Sequence, residues 1–127
     1  MEYLFLLGRI LFGGFFVMNA FNHFANFGGI SRYAASKGVP ASKLAVAVTG
    51  LLILLGGAGI ILGYQVELAV LFLALFLLPV SFVMHAFWKV ADPMQRMGEM
   101  VNFNKNIALL GAALAFLFIP EPWPLSI

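Results

Sequence analysis

The chain has no cysteine. That excludes disulfides, thiolate catalysis, iron–sulfur clusters and Cys-ligated zinc. It also has little charge: 7 Lys and Arg and 5 Asp and Glu, 9% of 127 residues, against about 25% in soluble domains. A soluble protein of this size covers its surface with polar side chains, and this one lacks them. Soluble, disordered and fibrous classes are excluded on that ground. No basic cluster offers a face for nucleic acid. Nothing has the form of a phosphate-binding loop, a Ser-His-Asp set or a carboxylate dyad. What the chain holds is apolar side chains, 63% of the total, with mean hydropathy +1.03. About 80 apolar residues suffice for four spans of roughly 20 each. The expectation is all-α: an integral membrane four-helix transmembrane bundle, one transmembrane domain over 1–127, with the lipid bilayer as its first partner.

Charge-free runs place transmembrane helices near 4–24, 43–63, 66–88 and 101–119. The last is about 28 Å long at 1.5 Å per residue, just enough to cross. Glu2 before the first run and Arg9 within it argue against a cleaved signal peptide. Arg32, Lys37 and Lys43 lie in the loop after span one, and Lys89, Arg96 and Lys105 around the connection between spans three and four. These six of the seven basic residues predict a cell-membrane protein with both loops cytoplasmic and both termini on the other side.

The loops have their own signals. Gly28-Gly29 should break the first helix, and Ile30 to Lys37 should form a short interfacial helix stopped at Gly38. Pro40 suits the first turn of span two, while Asp92, Pro93 and Gln95 read as a helix start. Gly56, Gly59 and Gly63 on span two, and Ala108, Gly111, Ala112 and Ala115 on span four, are small-residue stripes for close helix packing. Packing inside the bundle is the plainer use for them, and a homodimer interface the other. Pro79 should kink span three by freeing the carbonyl of Leu75, for which Ser81 is a candidate partner.

Polar residues inside the membrane are costly and therefore informative. Arg9 and Glu67 both lie near the face that carries the termini, and the sequence predicts a structural ion pair between them. At the opposite depth Asn19, Asn22 and His23 end span one, His85 and Trp88 end span three, and Lys105 and Asn106 begin span four. Asp92 is the acid nearest this group. Interfacial residues satisfied by water are one reading; a polar pocket open towards the membrane is the sharper one. Imidazoles and carboxamides would hold carbonyl oxygens while aromatics line a ring, which suits a quinone. His23 or His85 would donate to the quinone carbonyl and exchange a proton with it. The candidate quinone pocket is Asn19, His23, His85, Trp88 and Asn106, with catalytic residues unassigned. Two histidines alone specify neither a metal site nor haem ligation. Met94, Met97 and Met100 read as an apolar helix face rather than a copper site.

These residues resemble the DoxX family of small four-span membrane proteins. The resemblance runs through Gly8-Arg9, Phe16, Asn19-Ala20, His23-Phe24, Gly38-Val39-Pro40, Gly56-Gly57, Gly63, His85-Ala86-Phe87-Trp88, Lys105-Asn106 and Gly111. It covers roughly residues 4–119. It implies a four-helix bundle and a link to membrane redox chemistry, with relatives associated with thiosulfate:quinone oxidoreduction and oxidative-stress complexes. Two features depart from relatives: Val46-Ala47-Val48-Thr49-Gly50 stands where many carry an acid, and cysteine is absent. The leading expectation is a quinone-linked redox subunit or quinone-binding accessory protein working with a redox partner protein. The alternatives are a small-solute or proton transporter or channel, and a non-catalytic assembly factor.

Overall fold

The length of the charge-free runs, not capping, decides where most of this chain is helical. The computed structural model describes residues 1–127. Its elements are α1 (Glu2–Ala25), α2 (Phe27–Ser36), α3 (Ser42–Leu62), α4 (Val66–Val83) and α5 (Pro93–Phe116), with a 3-10 turn at Phe87–Lys89. α1 packs on α3, α3 on α4 and α4 on α5, while the short α2 folds back on α3. Glu2–Ala25, Ser42–Leu62 and Val66–Lys89 are each long and apolar enough to cross a membrane. Only 22 of the 127 residues are buried, and Leu51, Leu55, Leu71, Leu75 and Leu78 point outward. An apolar surface of this extent requires lipid. The protein is a multi-pass helical membrane protein.

The core is a column of Phe16, Ala20, Ile53, Ile60, Leu73, Leu77 and Ala113. Glycine governs the α1–α3 contact. A Cβ on Gly13 would lie 2.5 Å from the Gly57 carbonyl oxygen, and one on Gly57 would lie 2.6 Å from the Gly13 carbonyl oxygen. Two backbones touch there because neither residue has a side chain. Gly56 and Gly59 serve α4 instead, with Ala69 and Leu73 against them. The stripe on α5 faces outward: Ala108, Gly111, Ala112 and Ala115 are exposed, and it is Ala113 that is buried.

Several boundaries differ from the sequence expectation. The first break falls at Asn26, and α2 absorbs Gly28-Gly29. Gly38 follows α2 at φ +86°, as a helix stop should. Pro40 lies before α3, which begins at Ser42. α4 ends at Val83 rather than 88, so His85 lies in a turn and Trp88 in the 3-10 segment. The Ser81 hydroxyl donates to the Leu77 carbonyl and not to that of Leu75. α5 starts eight residues before the expected fourth span and stops at Phe116. Asp92 caps it, accepting from the Gln95 amide at 3.0 Å, with Pro93 in its first turn. Its charge-free stretch from Ile107 to Phe116 covers only about 15 Å, and α5 is not among the helices apolar enough to cross.

The end of the bundle that carries the termini is closed by Arg9 and the C-terminal tail. The Arg9 side chain is fully buried. Its Nε donates to Ile60 O at 3.2 Å, Nη1 to Pro124 O at 2.6 Å, and Nη2 to Ile61 O at 2.7 Å and Leu125 O at 3.2 Å. Ile60 and Ile61 lie in the last turn of α3, where the helix dipole is negative, and the Ile60 carbonyl also accepts from the Gly63 amide at 3.3 Å. Phe5 and Trp123 flank the guanidinium at 5.4 and 5.5 Å. The Ile127 amide bonds to Leu62 O at 3.0 Å. The expected Arg9–Glu67 pair is therefore corrected. Backbone carbonyls satisfy Arg9, and Glu67 is exposed at the start of α4 and needs no counter-ion. The Lys37–Glu99 ion pair and the His85–Glu99 hydrogen bond are at the other end.

Candidate functional site

No Cα of α1 comes within 8 Å of one in α4 or α5. Long side chains must bridge that gap. Towards the end that carries the termini they do, with the Phe12 and Phe116 rings 5.1 Å apart and the Phe116 and Trp123 rings 5.5 Å apart. Towards the basic-loop end the bridging is sparser, through His23 to Phe76 and Lys105 to Phe15, and a cavity of about 330 Å³ remains between α1, α2, α3, α4 and α5. That volume is at the lower end of the range for small-molecule sites.

The walls are mostly apolar, with Phe15, Phe16, Phe76 and Pro79 among them. Of the five expected pocket residues, Asn19, His23, His85 and Asn106 line this cavity. They come from α1, the turn after α4, and α5. Trp88 does not line it. Because α4 stops at Val83, the i+7 relation of Trp88 to Ser81 is lost. The indole, 45% exposed, packs instead on Phe82, Phe87 and Phe103 at 6.0, 5.2 and 5.6 Å.

The polar side chains are held from below. Asn19 Nδ2 donates to Phe15 O at 2.7 Å. His23 Nδ1 lies 2.9 Å from Asn19 O, and its ring is 6.0 Å from that of Phe76. The Thr49 hydroxyl, also on the wall, donates to Ala45 O at 2.8 Å. Lys105 holds its ammonium 5.3 Å from the Phe15 ring. Asn106 is 5% exposed, and its carboxamide takes part in none of the side-chain hydrogen bonds of the fold. The carboxamide is open to the cavity, so a molecule there can complete its hydrogen bonds, whereas the one fully buried side-chain polar atom without a partner is Ser31 Oγ on α2.

Sequence reasoning missed Glu99. Its Oε2 lies 3.2 Å from His85 Nδ1 and 3.9 Å from Lys37 Nζ. One carboxylate thus ties α5 to the segment after α4 and to the end of α2, in contact with His85 of the cavity wall. Glu99 is seven residues before Asn106, on the same helical face. That spacing was the available signal, and starting the fourth span at 101 concealed it. Glu99, not Asp92, is the acid of the site. No group of three or more His, Asp or Glu side chains gathers in metal-ligand fashion.

The DoxX family profile matches residues 4–86, well over half of the chain. No curated protein and no solved structure was found to match it. The matched region takes in α1 to α4 and both histidines and stops before α5, so Glu99, Lys105 and Asn106 lie beyond it. A match that runs unbroken through three membrane-spanning segments places this chain in the DoxX family of membrane proteins.

Proposed function

We propose that the protein binds a quinone-class head group in this cavity and serves as a quinone-linked redox subunit or accessory protein. The observation that carries the reading is the unpartnered Asn106 carboxamide facing a largely apolar, aromatic cavity beside two imidazoles. A ring with oxygens at its edge fills such a space: the ring meets Phe15, Phe16 and Phe76, and the oxygens meet Asn106 and the histidines. The chain has no cysteine, so a redox partner protein or a cofactor bound with it exchanges the electrons. The cavity lies towards the basic-loop end of the bundle, which this reading places in the cytoplasm with both termini outside. A C-terminal reporter that works only in the cytoplasm is expected to stay silent, and strong signal would reverse the orientation.

Binding is tested by heat. Ubiquinone or menaquinone analogues at about 100 times Kd are expected to stabilise the purified protein by about 2.7 kcal/mol. His23→Ala and His85→Ala should lose that protection while keeping their helical signal. No shift in the wild type, together with no quinone in its lipid extract, would remove the quinone reading. Transport is the second reading, favoured by Pro79, which lines the cavity from within α4. Flux into sealed vesicles that disappears with His23→Ala would support it.

A further inference from the structure

α1 and α5 look at each other across a gap, and one half of that gap is polar. Phe12 on α1 meets Phe116 on α5, and the Phe15 ring meets the ammonium of Lys105 at 5.3 Å. These two contacts fix which helical faces oppose one another. On α1 that face continues from Phe15 to Asn19, Asn22 and Asn26, at i+4, i+7 and i+11. On α5 it continues from Lys105 to Asn102 and Gly98, three and seven residues earlier. The half of the gap towards the basic loops is thus a slot walled by carboxamides and one ammonium. Neither wall carries an acid. The nearest, Glu99, is engaged with Lys37 and His85.

Lys105 is exposed, pairs with no carboxylate, and stands two residues before the charge-free stretch that begins at Ile107. An ammonium at the edge of an apolar segment is costly unless an anion or water meets it. Asn22 Oδ1 accepts from Asn26 Nδ2 at 3.5 Å, which leaves the Asn22 N–H groups free, and Asn102 enters no side-chain hydrogen bond. At Gly98 the α5 backbone is bare, with open space where a Cβ would be. Deeper in the bundle the slot is flanked by apolar surface, with Leu11 and Met18 exposed on α1 and Ala108 and Ala112 on α5. The whole end is basic: Arg32, Lys37, Lys43, Lys89, Arg96 and Lys105 share it with Asp92 and Glu99 alone among the acids.

Positive charge with N–H donors takes an anion, and an apolar flank beside them takes acyl chains. We infer that the slot between α1 and α5 holds an anionic phospholipid from the leaflet at the basic-loop end. Lys105 is the counter-ion of its phosphate, and Asn22 and Asn102 donate to the phosphate oxygens in charge-assisted hydrogen bonds. The flexible Lys105 stem carries the ammonium to headgroup depth. The acyl chains lie along Leu11 and Met18 on one side and Ala108 and Ala112 on the other. Basic pockets between membrane helices are a recurrent way to hold such headgroups. The inference does not rest on the quinone reading.

Native mass spectrometry of the detergent-purified protein tests this, with dioleoylphosphatidylglycerol and dioleoylphosphatidylcholine titrated separately. The anionic lipid is expected to bind about five-fold more tightly, the factor that one lysine contributes beside an anionic headgroup. Lys105→Gln should bring the ratio towards one, and Lys105→Arg should keep it. Lys89→Gln is the control, since it removes the same charge from the segment that packs on Phe103, on the opposite side of α5. Equal losses in Lys105→Gln and Lys89→Gln would assign the preference to the general charge of this end and overturn the slot. Inorganic phosphate in large excess should leave the lipid bound; displacement would mark a site for free anions and overturn the lipid assignment. A phosphatidylglycerol with a photoreactive headgroup gives a readout on the wild type. Crosslinks in the peptides that carry Asn22 and Lys105 support the inference, and crosslinks confined to α2 or to Phe87–Lys89 refute it. Equal binding of the two lipids ends it.

Discussion

Arg9→Met is expected to cost about 3–5 kcal/mol of stability, the range seen when a buried charge network loses one member. Four carbonyl oxygens accept from Arg9, and Met would leave those of Ile60, Ile61, Pro124 and Leu125 facing an apolar side chain. Hydrogen bonds to a charged group contribute about 1.5–3 kcal/mol each, and buried orphans carry a further penalty. Thermal unfolding in detergent reads the loss. Trp123, 2% exposed and beside the guanidinium, should shift its fluorescence to the red as the tail comes away. Arg9→Lys keeps the charge but lacks the planar fork that reaches two elements at once, so it should recover only part of the loss. Glu67→Gln should stay within about 0.5 kcal/mol of wild type, as for an exposed residue. The double variant should then lose the sum of the two. A melt of Arg9→Met within a degree of wild type would end the view that Arg9 seals this end.

Gly57→Ala and Gly13→Ala form the second large pair, each expected to cost about 1–3 kcal/mol or more through overpacking. The added Cβ meets backbone, which cannot turn aside as a flexible side chain can. At Gly57 it meets the Gly13 carbonyl oxygen at 2.6 Å and Phe16 Cβ at 3.0 Å; at Gly13 it meets the Gly57 carbonyl oxygen at 2.5 Å and Ile61 Cγ1 at 2.6 Å. α1 and α3 must separate. Phe16 leans on that seam and also lines the cavity, so these variants should lower ligand protection as well. Gly14→Ala and Gly111→Ala are the controls, because a Cβ at either position has open space around it. Equal melting of Gly57→Ala and Gly14→Ala would show that the close approach does not matter.

The long apolar helices were legible because their ends are chemical events. α3 runs Ser42–Leu62 against an expected 43–63, ending at Gly63 in the left-handed conformation with φ +66°. The start of α5 was legible from Asp92 and Pro93, although the apolar run alone drew the span from 101. The end of α4 was not, since no charge or glycine marks Val83; apolar composition continues to Trp88 while the helix does not. Depth along each span brought Asn19, His23, His85 and Asn106 to one level, and side chains at one level in a narrow bundle meet. Trp88 was misplaced by the same uninterrupted reading of α4. Arg9 was recognised as needing partners, but a sequence displays side chains, and its partners are carbonyls. Two of those belong to a Pro-rich tail whose return to the bundle has no periodic signal.

That tail gives the cavity a sidedness. Phe12, Phe116, Trp123 and the carbonyl-bound Arg9 pack together at the end of the bundle that carries the termini, and the cavity lined by Phe15 and Phe16 lies towards the other end. On the function proposed above, a ligand that reaches His23, His85 and Asn106 approaches from the basic-loop end or from the lipid beside it, and the end that carries both chain termini serves as the fixed anchor of the bundle.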